Sequence, residues 1–252
     1  MKKFNRQYLR VFLTIKIKQA LNALPFYKHT NYSIFLILSH PRTGSSLLHT
    51  YLNSHTQVLS LNEPLAQTTD KSLLLKKYSK KIKAVGLKYF YEYMNDPINK
   101  QLFIDLLNEP NIHIIKVHRK NALRVYMSLR IAQKTQEWSR TVSIKQSINN
   151  KKISLSPNEC IEAFKQFEKW ELETQLILNE YTIPVFEMDY EALVEQPNEM
   201  LFHIQKFLDV SKQQLFSLLK RQNVEPLKTL IENYEALKES FVGTAYEHFF
   251  EE

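Results

Sequence analysis

The stretch from Ser33 to Ser39, SIFLILS, is apolar except at its two ends, with none of the alternation of a strand wet on one side. A run of this kind is expected of a strand buried on both faces. It is followed at once by His40-Pro41-Arg42-Thr43-Gly44-Ser45-Ser46, and then by Leu47, Leu48, Tyr51 and Leu52 at helical spacing, so a helix is expected from about Ser45 to Ser54. Strand, tight turn and helix in this order constrain the fold more than any other feature of the chain. The turn also holds one of only three glycines, Gly44, Gly86 and Gly243. Average usage would place roughly 18 in a chain of this length. Each survivor is therefore read for a backbone need.

Further strand and helix patterns extend the same theme. Residues 57–63 (QVLSLNE) read as a short strand ending in a loop, Val85 to Tyr91 as a strand, and NIHIIKV at 111–117 as a second buried strand after a helix at 98–107. A basic helix or solvated face is expected at 70–80, and a long helix from about Asn121. Residues 135–155 are polar and aperiodic, and read as a loop or lid. Ser156-Pro157-Asn158-Glu159 opens a helix with a buried stripe of Ile161, Phe164, Phe167 and Trp170. IPVFEMDY is a third convincing strand, and the helix at 197–208 buries Leu201, Ile204, Phe207 and Leu208. Strands separated by helices imply an α/β fold, a single domain whose central parallel sheet is flanked by helices. With 252 residues and no repeat or linker, the chain divides into an N-terminal basic amphipathic helical segment, 1–30, and one domain over 31–252.

In that first segment, Arg10, Lys16 and Lys18 interrupt the apolar stretch and no small-residue cleavage site follows, so neither export nor a membrane span is expected. As a helix, residues 4–24 carry Leu9, Phe12, Leu13, Ile17, Leu21 and Leu24 along one side. Such a helix either packs on its own domain or touches a membrane peripherally. The single cysteine, Cys160, excludes an intramolecular disulfide and suits a reducing, cytoplasmic compartment; it reads as a small apolar residue on a helix.

A formal net charge of +8 points to an anionic partner. The turn is built to hold one. Ligands of parallel sheets sit at the carboxyl ends of strands, where a helix N-terminus offers unpaired amides and partial positive charge. Gly44 can aim its own amide and its neighbours' at one point, Ser45 and Ser46 add hydroxyl donors, and Arg42 adds a planar fork. The loop lacks the Walker A lysine, GxxxxGK[ST] being absent, which weighs against magnesium-nucleotide hydrolysis. Without its ligand chemistry the same stretch would be a capped strand-to-helix turn. The histidines are not spaced as a metal site, with no HxxxH pair or cysteine partner.

Pro41 to Leu48 resembles the 5′-phosphosulfate loop of sulfotransferases that use 3′-phosphoadenosine 5′-phosphosulfate (PAPS) as sulfuryl donor and release adenosine 3′,5′-bisphosphate (PAP). That family binds the 3′-phosphate with an arginine just after another parallel strand and a serine on the next helix. Here NIHIIKV is followed by Arg119 and, nine residues on, by Ser128. The string from Arg119 to Ser128 is similar to the R-x-N-x-L-R-x-x-x-S variant of bacterial members. The stretches at 185–210 and 230–249 extend the likeness, while 1–30 and 135–155 lie outside it. The resemblance implies a P-loop-like sulfotransferase fold and a donor site made of Arg42, Thr43, Gly44, Ser45, Ser46, Arg119 and Ser128.

Sulfuryl transfer needs a base, donors for the sulfuryl oxygens and positive charge near the leaving phosphate. Glu63 lies 21 residues after Arg42, where protein-tyrosine sulfotransferases carry their proposed catalytic glutamate; its plainer reading is an exposed loop carboxylate. Lys88 resembles a lysine that follows a strand in several bacterial members and would orient substrate or neutralise the leaving group, unless it faces solvent. His40, directly after a strand, is the reserve base. His49 and His55 read as packing or capping residues. The expected acceptor is a hydroxyl or amine, with a saccharide or lipid-linked glycan as the class the basic N-terminal helix suggests, and no nucleic acid. Two other classes remain open: a P-loop-like nucleotide or nucleoside kinase, and an inactive PAP-binding or adaptor protein.

Overall fold

The computed structural model describes residues 6–24, 26, 28–66, 70–141 and 151–251. Five strands form its main sheet: β1 (Ser33–Ser39), β2 (Val58–Ser60), β3 (Ala84–Phe90), β4 (Ile112–His118) and β5 (Val185–Asp189). All neighbours are parallel, in the order β2-β3-β1-β4-β5. The chain leaves β1 towards one edge, then returns past it to fill the other. The carboxyl end of β1 is thus the switch point of the sheet, where such folds open a crevice. The glycine-bearing turn leaves the sheet there.

Helices cover both faces, as the double-sided burial of the strands requires. Alternate residues of β1 feed the two layers. Ile34, Leu36 and Leu38 pack with Leu102, Phe103 and Leu106 of α3 (Pro97–Leu107). Phe35 and Ile37 pack with Leu48 and Leu52 of α2 (Ser45–Asn53), and with Leu201 and Ile204 of α6 (Pro197–Phe207). A third cluster joins α4 (Ala122–Thr135) and α5 (Pro157–Leu178) to the C-terminal segment through Leu123, Met127, Ile131, Phe164, Phe241 and Phe250. Cys160 is buried in it. At the expected helix start a capping box opens α5: Ser156 Oγ accepts from the Glu159 amide and Glu159 reaches back to the Ser156 amide.

Three local expectations change. The helix expected over 70–80 shrinks to one turn, Ser72–Leu75, because Tyr78 and Ser79 pair antiparallel with His29 and Lys28. Lys76, Lys77, Lys80, Lys81 and Lys83 lie exposed around that ribbon. Of the aperiodic stretch 135–155, positions 142–150 fall outside the described residues. Its C-terminal end is packed structure: Ile153 and Leu155 are buried, and Ile153 bridges to Ile231. The third change concerns the N-terminal helix, α1 (Arg6–Ala23), whose apolar side faces outward. Leu9, Phe12, Leu13, Ile17 and Leu24 are exposed, while Val11 and Lys18 are its buried residues.

Candidate active site

A cavity of about 780 Å³ opens over the carboxyl ends of β1, β3 and β4, within the size range of small-molecule sites. Its floor is the turn from β1 to α2. Gly44 is the N-cap of α2 and adopts φ 97°, in the left-handed region that glycine enters without strain. A β-carbon there would collide with the Tyr190 ring, so both backbone angle and space require glycine. Gly86 meets a different need. It lies opposite Phe35, whose carbonyl and ring occupy the position of any β-carbon.

Two arginines converge on the turn from different strands. Arg42, at φ 70°, donates through Nε to Ser128 Oγ at 3.0 Å and through Nη2 to Gln222 Oε1 at 2.9 Å, with Nη1 on the Trp138 carbonyl. Arg119 donates to the Arg42 carbonyl at 3.2 Å and lies 4.9 Å from the Tyr190 ring centroid. Its Nε is buried and has no hydrogen-bond partner among the described residues. Burial depresses the pKa of both guanidiniums, only in part offset by Glu137 and Tyr190 at Arg42 and by Tyr190 and Glu191 at Arg119. Ser128 Oγ also accepts from Asn223 Nδ2 at 3.0 Å. Arg42, Arg119 and Ser128, separate in sequence, thus line one wall.

The motif residues between Arg119 and Ser128 build this wall from behind. Asn121 caps α4 by accepting from the Arg124 amide at 2.9 Å and donates to the Phe249 carbonyl at 2.7 Å. Arg124 reaches the carbonyls of Asn223 and Glu225. The C-terminal segment is thereby fastened beside Ser128.

Across the cavity, backbone bonds continue the β2–β3 ladder beyond Ser60. Leu61 N–H donates to Gly86 O at 2.8 Å and Lys88 N–H to Asn62 O at 2.7 Å. Asn62, at φ 63°, then turns the chain so that Glu63 forms an ion pair with Lys88. Lys88 does not face solvent: its side chain is 1% exposed, and Nζ also donates to Ser46 Oγ at 2.8 Å. Burial lowers its pKa, against the hydrogen bond and charge of Glu63. Glu63, whose side chain is 32% exposed, and the buried Lys88 hold each other in place.

Arg42, Gly44, Ser45, Ser46, Glu63, Lys88, Arg119 and Ser128 all line this cavity. Two other candidates stand apart. Thr43 is buried, with its hydroxyl donating to the His40 carbonyl at 2.8 Å, and shapes the turn from below. His40 lies behind the turn, packed against Tyr91 and Phe167, with Nε2 on Glu171 Oε1 at 3.0 Å. His118 approaches the same carboxylate at 3.8 Å. Burial raises the Glu171 pKa, but the two imidazoles outweigh it and hold the group down at about 2.

His49 lines the cavity and shares a 2.6 Å hydrogen bond with Ser60 Oγ. Burial, then the charges of Lys88 and Lys18, lower its pKa to about 3, so the ring is neutral at ordinary pH. His55 is buried at the end of α2, bonded to the Ser211 carbonyl and the Gln57 amide. Glu92 and Tyr93 also line the cavity, and burial followed by the charge of Glu63 raises both pKa values. Spacing had no means of finding them. They follow β3 in YFYEY, a string with no motif, and only the sheet brings them opposite Glu63. Trp138 and Gln222 were equally silent, while Tyr190 stood in the stretch 185–210 that extends the likeness without a role assigned to it.

No profile of a known protein family matches the sequence. Two curated relatives are Nodulation protein H of Rhizobium meliloti (strain 1021) and Nodulation protein H of Rhizobium tropici. Each is 27% identical over 241 residues, covering 86% of this chain and 94% and 92% of their own. Among solved structures, a sulfotransferase from Alicyclobacillus acidocaldarius superposes with a TM-score of 0.51 at 16% identity, over 84% of this chain and 91% of that one. The chain has the sulfotransferase fold. In this sulfotransferase fold the cavity occupies the switch point of the sheet, and among the described residues its cationic lining is Arg42, Lys88, Arg119, Arg140, Lys220 and Arg221.

Proposed function

We propose that this chain is a sulfotransferase that moves a sulfuryl group from PAPS to a hydroxyl or amine of an acceptor. The observation that carries the reading is the convergence of Arg42, Arg119 and Ser128 beside a left-handed Gly44 at the start of α2. This donor set suits a ligand with two separated anionic groups. A helix N-terminus with Ser45 and Ser46 fits the phosphosulfate. Arg119, with its Nε unpartnered among the described residues, and Ser128 fit the 3′-phosphate. The exposed Trp138 and the Tyr190 ring are aromatic surfaces in the same wall. A kinase reading has no Walker lysine behind Gly44 to support it.

During transfer a bond forms between the acceptor oxygen and sulfur, and the bond from sulfur to the bridging phosphate oxygen breaks. Three needs follow for the chain. Glu63 takes the acceptor proton, its carboxylate held at the cavity wall by the turn at Asn62. Lys88, shared between Glu63 and Ser46, supplies positive charge between the base and the turn, where the leaving oxygen gains negative charge. The amides and hydroxyls at the start of α2 hold sulfuryl and phosphate oxygens in line. Phe90, Glu92 and Tyr93 line the cavity on the side of Glu63, which is where the acceptor would sit in this reading. Aromatic faces beside carboxylates suit a neutral polyhydroxyl compound such as a saccharide.

The test is a melting experiment with PAP and, separately, ATP with magnesium. A rise with PAP alone supports the donor assignment, because a ligand that binds only the folded state raises its stability. A rise with ATP and magnesium but not PAP would overturn it. Incubation of the protein with labelled PAPS and cell extract, followed by mass spectrometry, then identifies the acceptor.

A further inference from the structure

The N-terminal helix buries Val11 and Lys18 but leaves most of its large apolar side chains in solvent. Its inward face carries Lys18, a buried ammonium that donates to Asn53 O at 2.6 Å, Asn53 Oδ1 at 3.0 Å and Val58 O at 2.6 Å. Asn22 accepts from the Ser79 amide at 2.9 Å, and Arg10 lies 5.2 Å from the Phe216 ring centroid. These contacts set the rotation of the helix, and that rotation turns Leu9, Phe12, Leu13, Ile17 and Leu24 to solvent, with Phe26 beyond its end. An amphipathic helix held only by its own domain would show the opposite arrangement, since apolar area left in water forfeits its burial energy.

The two segments that carry this face hold charge of one sign. No Asp or Glu occurs in the chain before Glu63, and none between Asp70 and Glu92. Arg6, Arg10 and Lys16 are exposed on α1 itself. Lys76, Lys77, Lys80, Lys81 and Lys83 are exposed around the ribbon that joins Tyr78–Ser79 to Lys28–His29, just after the helix. A second copy of the chain would bring these cations against themselves. An anionic bilayer complements them and accepts the apolar side chains at the same time. Among the described residues no helix is long and apolar enough to cross a membrane, so the contact is with one surface.

We propose that the outward face of α1 and the basic ribbon beside it dock the protein on an anionic lipid surface. Leu9, Phe12, Leu13 and Ile17 enter the boundary between headgroups and acyl chains, and Lys16 with the lysines at 76–83 meets the headgroups. Each basic residue close to such a surface strengthens binding about fivefold, and salt screens the attraction.

Vesicle flotation with the full chain tests this, using phosphatidylcholine alone and phosphatidylcholine mixed with phosphatidylglycerol. Binding to the mixed vesicles only, weakened by salt, is expected. The exposed triple change Leu9→Ser, Phe12→Ser and Leu13→Ser should weaken it at least about tenfold, and Lys77→Glu with Lys80→Glu and Lys81→Glu should do the same. Melting temperature and PAP affinity serve as controls for folding in both. Absence of binding to anionic vesicles overturns the proposal, as does equal binding to neutral ones or no response to either set of changes. Sedimentation that reveals a dimer dissolved by the serine changes, with vesicle binding unmoved, would make a second copy the occupant.

Discussion

Two cationic regions among the described residues use charge in opposite ways. In the cavity, Arg42, Lys88 and Arg119 are drawn out of water, their pKa values depressed by burial and each held by oxygen acceptors within the protein. Around α1 the cations stand in solvent beside exposed apolar side chains. A concave, water-poor site strengthens each contact and fixes its geometry, which suits one small anion. An exposed field is weak per residue, additive and sensitive to salt, which suits an extended surface. Position in the fold, not residue type, separates the two.

The largest effect expected in the cavity is on chemistry alone. Glu63→Gln keeps shape but cannot accept a proton, so turnover should fall about 10²–10⁴-fold with PAP affinity retained. Near-parental turnover at saturating PAPS would remove Glu63 from the mechanism, and a severe loss in His40→Ala would shift attention to the imidazole behind the turn. Next comes Arg119→Ala, which should weaken PAP by roughly 2–3 kcal/mol in calorimetry while vesicle binding stays unchanged. Parental PAP affinity would refute the 3′-phosphate assignment.

Gly44→Ala sharpens the contrast from the side of backbone geometry. The left-handed φ and the collision with Tyr190 together should lower stability by about 1–3 kcal/mol in urea unfolding. In a Tyr190→Ala background the collision disappears and only the strain from φ remains, so the penalty should shrink without vanishing; an unchanged penalty would leave the ring without a role.

Acid gives a smaller effect. His49 is held neutral to about pH 3 in the folded chain but protonates near 6.5 when unfolded. The unfolded state therefore binds more protons in that window, and the stability contributed by neutral His49 is lost as pH falls from about 6.5 to 3. His49→Gln should flatten this part of the pH profile, and an identical slope in both proteins would count against it. The smallest effect belongs to the exposed lysines. Reversing Lys77, Lys80 and Lys81 should leave unfolding free energy within about 0.5 kcal/mol per site and PAP affinity unaltered; a large change in either would mean that the ribbon supports the cavity.

Much of the sheet was legible because its strands are buried on both faces. SIFLILS and NIHIIKV have no polar side to confuse the pattern, and β1 matches its expected range while β4, Ile112–His118, is shifted by one residue from its expected 111–117. The segment at 70–80 departs from its expected helix for a reason of the same kind. Its lysines and leucines fit a helix locally, but Tyr78 and Ser79 found strand partners some fifty residues earlier, and long-range pairing overrides weak propensity.

The sequence by itself determined the strand, turn and helix around Gly44 and the placing of Arg119 and Ser128 after a second buried strand. Those features depend on backbone angles and side-chain period, which near neighbours impose. Only the tertiary structure decided which charges would be buried together. The pairing of Lys88 with Glu63, the approach of Glu92 to that pair, and the retreat of His40 towards Glu171 all join elements far apart in the chain. The rotation of α1 is the clearest case. Its period reveals an apolar stripe but not the direction that stripe faces, and in the folded chain three oxygens from Asn53 and Val58 hold the Lys18 ammonium inward, leaving the leucines outside.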